Sequence, residues 1–227
     1  MKITWIGQAG LLFDNGKIKI MIDPYLSDSA ERIEPKNFRR VPIQMELFDI
    51  EPDIMIFTHD HLDHYDPETA ERFLTGTDRK MTVLCPSSVW KKAREYGHGH
   101  NYVQFNKGTE WSEYGFRFKA VRAEHSDLFA IGVIIEDLYE NKTYYITGDT
   151  LYNEKIFSGL PDKIDVVFLP VNGVGNNMNM TDAKRFCERI GAGVAVPYHC
   201  GMFDTLDPSE FDYKNKVIPK IYKEMGV

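Results

Sequence analysis

Residues 57–66 read FTHDHLDHYD, with three histidines and two aspartates in the six positions from His59 to His64. The apolar run DIMIF ends at Phe57, directly before this cluster, and predicts a short buried strand. A polar loop after a buried strand is the alternative interpretation, but a loop does not require so many imidazole and carboxylate groups together. Zinc, manganese and iron bind these groups well, so the stretch predicts a metal site.

The spacing of the cluster predicts half of a site for two metal ions. On an extended strand end His59, His61 and Asp63 point to the same side, because side chains alternate along a strand, and His64 lies beside Asp63 after the chain turns. Four such ligands are too many for one open catalytic ion. Further ligands must therefore come from elsewhere, including a carboxylate that bridges both ions. Three candidates follow predicted strands later in the chain, namely His125, Asp149 and His199.

The composition narrows the class of protein. The chain has 227 residues, which fits a single domain over residues 1–227, and its formal net charge is −7. Because it contains no long basic run, we do not expect it to bind nucleic acid. No stretch approaches the roughly 20 apolar residues of a membrane span, so we expect no membrane partner. The three scattered cysteines and an N-terminus too polar for a signal peptide predict a cytoplasmic protein.

Hydrophobic patterns and turn residues predict the order of the secondary-structure elements. The first 23 residues predict three short strands, and residues 25–50 predict a long loop with one short helix. Strands and helices then alternate, with Asp66 and Thr181 as expected helix N-caps, and a last helix is expected over residues 208–226. This order predicts two packed sheets with helices on their outer faces rather than one parallel sheet.

The order of four motifs resembles the metallo-β-lactamase fold superfamily. THDHLDH is followed by the lone His125 after a strand, then by TGD, and finally by PYH. The resemblance covers nearly the whole chain, and the combination of motifs in this order is specific. It implies an α+β fold of the four-layer αββα sandwich type, with two mixed sheets packed together and helices outside.

Further stretches are similar to one branch of this superfamily. WIGQAGLLF, MIDPYLS, ITGDTLYN and VAVPYHCGMF resemble L-ascorbate-6-phosphate lactonase and related small metal-dependent hydrolases. The same stretches are more loosely similar to the phospholipase D of N-acyl-phosphatidylethanolamines. This chain departs from the pattern at Gln8, where many relatives carry histidine, and the departure concerns substrate handling rather than the metal ligands.

The resemblance assigns the ligands of two divalent ions, zinc or manganese, with iron also compatible. It implies that Asp149 contacts both ions, and that Asp23 and Thr58 orient the histidine cluster. The remaining ligands are expected in two sets, one for each ion: His59, His61 and His125 in the first, and Asp63, His64 and His199 in the second.

The implied activity is that of a metal-dependent hydrolase. A hydroxide bound between the ions would attack a small ester, lactone or phosphodiester, and Asp63 and Asp149 would be the catalytic residues that position it and receive a proton. The branch favours a sugar-phosphate lactone or another small anionic substrate, and a homo-oligomer is compatible with the sequence. A non-enzymatic metal-binding or metabolite-sensing protein on the same fold is the alternative. A phosphodiesterase or nuclease is another, although the acidic balance disfavours long RNA.

Several residues near the expected site permit two interpretations. Arg39 and Arg40 are more simply a solvated pair than contacts for a substrate anion. Cys200 is expected to be a structural thiol, and His98 and His100 are expected to face solvent. Three asparagines either cap the helix that follows them or reach the substrate, and these are Asn172, Asn176 and Asn177.

Overall fold

The structure, a computed structural model, describes residues 1–76, 79–97 and 99–227. Two β-sheets are built from strands distributed along the whole of this described chain. In chain order the strands are β1 (Lys2–Gly7), β2 (Gly10–Asp14), β3 (Lys19–Ile22), β4 (Ile54–Ile56), β5 (Thr82–Cys85), β6 (Asn101–Gln104), β7 (Glu110–Glu113), β8 (Phe116–Arg122), β9 (Ile131–Asp137), β10 (Lys142–Ile146), β11 (Val166–Pro170), β12 (Val194–Tyr198) and β13 (Glu224–Met225).

Both sheets are mixed. The first has the order β13-β1-β2-β3-β4-β5-β6, in which β3 to β6 run parallel, and the second has the order β12-β11-β10-β9-β8-β7, in which β10 to β12 run parallel. Because parallel strands end at the same edge of a sheet, the segments that follow β4, β10 and β12 can meet at one end of the molecule.

The two sheets pack face to face through buried aromatic side chains. The ring of Phe13 on β2 lies 5.3 Å from that of Tyr144 on β10 and 5.9 Å from that of Phe168 on β11, each in edge contact. Such aromatic contacts fill the space between sheets and stabilise their packing beyond simple burial. The predicted pair of packed sheets is therefore confirmed.

Among the described residues four α-helices lie outside the sheets, namely α1 (Ser29–Ile33), α2 (Pro67–Thr75), α3 (Ser87–Tyr96) and α4 (Met180–Ile190). Phe73 of α2 and Val89 of α3 join Phe57 in a second apolar cluster on the outer face of the first sheet. On the second sheet, the ring of Phe186 in α4 lies 6.1 Å from that of Tyr145. The arrangement is the αββα sandwich that the sequence predicts. No helix among the described residues is long and apolar enough to cross a membrane.

One of the two predicted N-caps is confirmed. The Asp66 side chain accepts a hydrogen bond from the Thr69 backbone N–H at the start of α2. The prediction for α4 is wrong, because Asn179 rather than Thr181 is the N-cap and accepts from the backbone N–H of Asp182 at 2.9 Å. The sequence NMNMTDA contains several residues that can cap, and the chain uses an earlier one.

The predicted C-terminal helix is also wrong. Residues 208–226 contain a 3₁₀ turn at Pro208–Glu210 and the short strand β13, joined by irregular chain. Pro219 has no N–H to donate to a helix, and Ile3 and Thr4 of β1 pair with the end of the segment instead.

His100 of the GHGH turn does not match the expectation of solvent exposure. His100 is only partly exposed, and its Nε2 lies 2.9 Å from the carbonyl oxygen of Leu74. His98 lies outside the described residues. His100 therefore helps to join α2 to the following strands.

Candidate metal centre

The histidine cluster follows β4 in a tight turn. The backbone N–H groups of His64 and Tyr65 both donate to the carbonyl oxygen of His61, at 3.0 and 2.8 Å. The cluster is therefore not an extension of the strand, and the argument from alternating side chains is wrong. Wrapping the backbone around His61 lets the cluster present its side chains in two directions from one short segment.

All seven predicted ligands are brought together at this end of the sandwich. Their nitrogen and oxygen atoms form overlapping groups whose members lie within 4.8 Å of one another. The groups are His59, His61 and His125; His59, His64 and Asp149; and Asp63, His64 and His199. The first and last groups match the two expected ligand sets, and Asp149 belongs to the group between them. The ligand roles themselves remain predictions.

The geometry fits divalent cations. Nε2 of His64 lies 3.1 Å from Nε2 of His199, and Oδ1 of Asp149 lies 3.2 Å from each of these nitrogens. Oδ1 of Asp149 and Nε2 of His59 are buried and have no hydrogen-bond partner within the described chain. A buried polar atom without a partner is costly, and a cation is a partner that several converging donors can share. Nitrogen and oxygen donors of this kind suit zinc, manganese or iron.

The buried carboxylate of Asp23 contacts Thr58 and His64 and so orients the histidine cluster. Its carboxylate accepts hydrogen bonds from the Thr58 backbone N–H at 2.8 Å and from the Thr58 hydroxyl at 2.6 Å. Its Oδ2 also lies 2.8 Å from Nδ1 of His64. A proton on Nδ1 that is donated to Asp23 leaves the Nε2 lone pair of His64 free for a cation.

One asparagine positions the central carboxylate. The Asn177 amide nitrogen donates to Oδ2 of Asp149 at 2.7 Å, and its amide oxygen accepts from the Thr150 backbone N–H at 3.0 Å. With Oδ2 occupied in this way, Oδ1 of Asp149 is directed at the imidazoles. Asn177 therefore orients a predicted ligand rather than capping a helix.

The other two asparagines each contact one predicted ligand. The side-chain nitrogen of Asn172 lies 3.2 Å from Nδ1 of His199. The carbonyl oxygen of Asn176 lies 3.3 Å from Nδ1 of His125 and can accept its proton. Together with Asn177, these residues make residues 172–177 a positioning loop for ligands that follow three different strands. The expectation that they cap α4 is wrong, since Asn179 has that role.

Gln8 lies directly beside the second ligand set. Its side-chain nitrogen donates to Oδ2 of Asp63 at 2.8 Å, and its carbonyl oxygen accepts from the His199 backbone N–H at 3.2 Å. The Trp5 indole N–H donates to the same carbonyl at 2.8 Å. Gln8 has a φ of 47°, an uncommon value for a side-chain-bearing residue that these contacts hold in place.

Burial keeps part of the cluster in its neutral form. Burial lowers the pKa of His59, and the neighbouring His64 imidazole lowers it further. Burial also lowers the pKa of His125. Both rings therefore favour the neutral state, in which an imidazole nitrogen can bind a cation.

The second ligand set behaves in the opposite way. Burial disfavours the charged forms of His64 and His199, but the carboxylates of Asp149 and Asp63 outweigh burial and raise the pKa of both rings. Burial would raise the pKa of each carboxyl group, but the same two imidazoles hold the pKa of Asp149 and Asp63 below the usual range. A cation that binds here must therefore displace protons from the imidazoles.

A cavity of about 1010 Å³ opens above the centre. Its lining includes four of the predicted ligands, namely His61, Asp63, Asp149 and His199. A cavity of this size admits a small organic molecule down to the ligand atoms.

Neither arginine of the preceding loop lines the cavity. The Arg39 guanidinium donates to the Tyr25 carbonyl oxygen at 2.9 Å and stacks on the Tyr25 ring at 5.0 Å, and its side chain is only 4% exposed. The expectation that both arginines are solvated is therefore wrong for Arg39, whose buried side chain supports the backbone of the loop. Arg40 is exposed and stacks on the ring of Phe38 at 4.3 Å, as a solvated residue can.

The fold and the convergent cluster define a class of protein, and comparison with known families identifies it. Residues 19–200 match the family model described as "Beta-lactamase superfamily domain", and the chain belongs to this family. The resemblance to the metallo-β-lactamase fold superfamily is therefore confirmed.

Relatives match over nearly the full chain. A UPF0173 protein of Pyrococcus furiosus is 29% identical over 212 residues, which cover 93% of this chain and 89% of that protein. A UPF0173 metal-dependent hydrolase of Thermoplasma volcanium is 25% identical over 223 residues, which cover 95% of this chain and 90% of the relative. Igni18, described as a novel metallo hydrolase from Ignicoccus hospitalis, has a similar structure with a TM-score of 0.77. It is 19% identical and covers 98% of this chain and 96% of its own, which shows the shared fold.

Proposed function

We propose that the protein is a metal-dependent hydrolase that uses two divalent ions to cleave a small ester, lactone or phosphodiester. The observation that carries this proposal is the convergence of seven imidazole and carboxylate side chains at the floor of an open cavity. Relatives named as metal-dependent hydrolases support the same class of activity.

The predicted ligands would hold the ions in two sets. His59, His61 and His125 would hold one ion, the second ligand set would hold the other, and Asp149 would contact both. When bound, such ions act as Lewis acids and lower the pKa of water, so that hydroxide forms near neutral pH. The hydrogen bond from Asn177 keeps Oδ1 of Asp149 directed inward while this chemistry proceeds.

Asp63 is the best-placed residue to carry a proton. Both carboxylates line the cavity, but the side chain of Asp63 is 21% exposed and that of Asp149 only 5%. Asp63 accepts the proton of the attacking water and returns it to the leaving oxygen, so that the leaving group departs neutral. The Gln8 amide, which donates to Asp63 at 2.8 Å, supports the charged form of Asp63, and this is the form that accepts the proton.

The open cavity favours an enzyme over a metal-binding or metabolite-sensing protein, since a sensor can enclose its ligand but a hydrolase must release its product. A nuclease is less well supported, because the net charge is −7 and nucleic-acid backbones are held by clustered cations.

The test combines elemental analysis with a substrate panel. Protein purified without chelator should contain about two divalent ions per chain and should hydrolyse at least one p-nitrophenyl ester, lactone or phosphodiester. Asp149→Ala should lose metal and turnover by roughly a hundredfold or more, exceeding the roughly 10- to 100-fold cost of removing a ligand's partner. Asp137→Asn is the control, since it changes a buried carboxylate in the β9–β10 turn. Full metal content and full rate in Asp149→Ala would refute the proposal.

A further inference from the structure

The wall of the cavity carries more negative than positive charge beyond the predicted ligands. Among the described lining residues Lys36 is the one lysine or arginine, and its ammonium lies 2.8 Å from the carboxylate of Glu34. Asp60 and Asp204 also line the cavity. Asp60 pairs with Lys92 at 2.7 Å, which is outside the lining, while Asp204 accepts hydrogen bonds from its own loop. Away from the predicted ion site, an anionic group on a substrate would therefore meet carboxylates and no cation committed to receive it.

Arg39 and Arg40 do not change this balance, since neither lines the cavity. Arg39 is fixed by the Tyr25 carbonyl and ring, with its Nε 3.9 Å from the Asp28 carboxylate. Moving its guanidinium into the cavity would break these contacts. Arg39 therefore supports the backbone of its own loop and does not bind an anion in the cavity.

Part of the rim of the cavity is apolar. Ile33 at the end of α1 and Val174 in the positioning loop both line the cavity, although 76% and 61% of their surfaces are exposed. Leu62 and Phe203 continue the apolar lining, and the Phe203 ring is held in edge contact with that of Tyr25 at 5.6 Å. Exposed apolar side chains that share a concave surface mark a binding groove, because a ligand removes their surface from water.

We infer that the substrate is an uncharged ester or lactone with an apolar acyl or alcohol group, rather than a sugar phosphate or another polyanion. The inference rests on the proposed function and specifies the substrate class of the same site. The scissile bond lies at the predicted ligands, and the apolar group lies against Ile33, Val174 and Phe203. The cavity volume of about 1010 Å³ accommodates an acyl chain of several carbons together with its leaving group.

The first measurement compares two ligands by calorimetric titration of the metal-loaded protein. Octanohydroxamate and the monohydroxamate of suberic acid share a metal-binding head and a carbon chain of the same length, and they differ at the far end, which is a methyl group or a carboxylate. Octanohydroxamate should bind at least about tenfold more tightly, because its far end meets apolar rather than acidic side chains. Equal affinities, or tighter binding of the suberic compound, would overturn the inference.

Substitutions at the rim test whether the preference arises there. Ile33→Lys and Val174→Lys each place a cation at the cavity mouth and should reduce the affinity ratio at least about fivefold. Leu138→Lys makes the same change at an exposed leucine that does not line the cavity, and it should leave the ratio within about twofold of wild type. Both rim residues are largely exposed, so folding should be preserved, and metal content is measured for every variant. Unchanged ratios in both rim variants would overturn the assignment of the apolar group to this wall.

A parallel rate measurement separates this inference from the proposed function. The p-nitrophenyl ester of octanoic acid and the p-nitrophenyl monoester of suberic acid have the same leaving group, and the octanoate should have the higher kcat/KM. A binding preference without hydrolysis of any ester or lactone would refute the proposed function and leave the ligand class standing. Hydrolysis of both esters with equal kcat/KM, together with equal hydroxamate affinities, would refute the ligand class and leave the hydrolase.

Discussion

Replacing Asp23 by asparagine tests whether the carboxylate behind the cluster controls metal affinity. Asp23 accepts hydrogen bonds from the Thr58 N–H and hydroxyl and contacts Nδ1 of His64 at 2.8 Å, and it is completely buried. Asparagine has nearly the same shape and tolerates the left-handed backbone that Asp23 adopts, with a φ of 43°. The substitution therefore changes the chemistry of one oxygen and adds little steric strain.

The expected loss follows from the hydrogen bonds. In Asp23→Asn one carboxylate oxygen becomes an NH₂ group, which cannot accept a hydrogen bond from His64 or Thr58. A hydrogen bond to a charged group contributes about 1.5–3 kcal/mol, and about 1.4 kcal/mol corresponds to a tenfold change in affinity. Metal affinity should therefore fall roughly 10- to 100-fold, the range typical for a partner that orients a metal-binding histidine.

Competition with a chromophoric chelator measures this affinity directly. Asp137→Asn serves as the control, because Asp137 is also buried and accepts hydrogen bonds from the Tyr139 and Glu140 N–H groups, at 2.9 and 3.1 Å. The control should lose stability but retain wild-type metal affinity. If Asp23→Asn kept its metal affinity within about twofold of wild type, the reasoning about His64 would be refuted.

Four further predictions concern the same centre. Gln8→Leu should weaken metal binding by roughly 2- to 13-fold in the chelator assay, as expected for loss of one hydrogen bond of about 1 ± 0.5 kcal/mol, and unchanged affinity would contradict a positioning role. Asn177→Ala should lower kcat about 10- to 100-fold, whereas an effect on KM alone would indicate a substrate contact. The pKa of His64 and of His199 is raised, because neighbouring carboxylates outweigh the effect of burial. Metal binding should therefore release protons, and metal affinity should rise with pH. Calorimetric titration in buffers of different ionisation enthalpy measures the protons released. In the metal-free protein, the stabilisation from these two rings is complete below the ordinary histidine pKa of about 6.5. It should disappear as pH rises through their raised values, so that Tm falls over this range in the metal-free form, and a constant Tm would contradict the assigned ion pairs.

The sequence predicts those parts of the fold and of the site that depend on patterns of neighbouring residues. The HDHLDH cluster and the lone ligands after strands could be found because each follows a recognisable apolar run. The seven side chains come together because β4, β8, β10 and β12, which precede them, end at the same side of the sandwich.

The parts that the sequence does not predict depend on contacts between distant segments. Asn177 meets Asp149 across 28 positions of sequence, and no local pattern separates that role from helix capping. Likewise, pairing of β13 with β1 joins the two ends of the chain, so helix propensity in residues 208–226 was overridden by a partner at the N-terminus.

The positioning loop combines two tasks that usually can be changed separately. Its asparagines hold predicted metal ligands, while Val174, between Gly173 and Gly175, forms part of the apolar rim. Both glycines have positive φ values, 67° and 66°, so the tip is a tight bend carried on fixed ends. A library that randomises the whole loop to obtain new substrates would mostly yield variants that no longer retain metal. Varying Val174 alone, with the asparagines kept, should let the substrate range of the enzyme diversify while its cofactor stays in place.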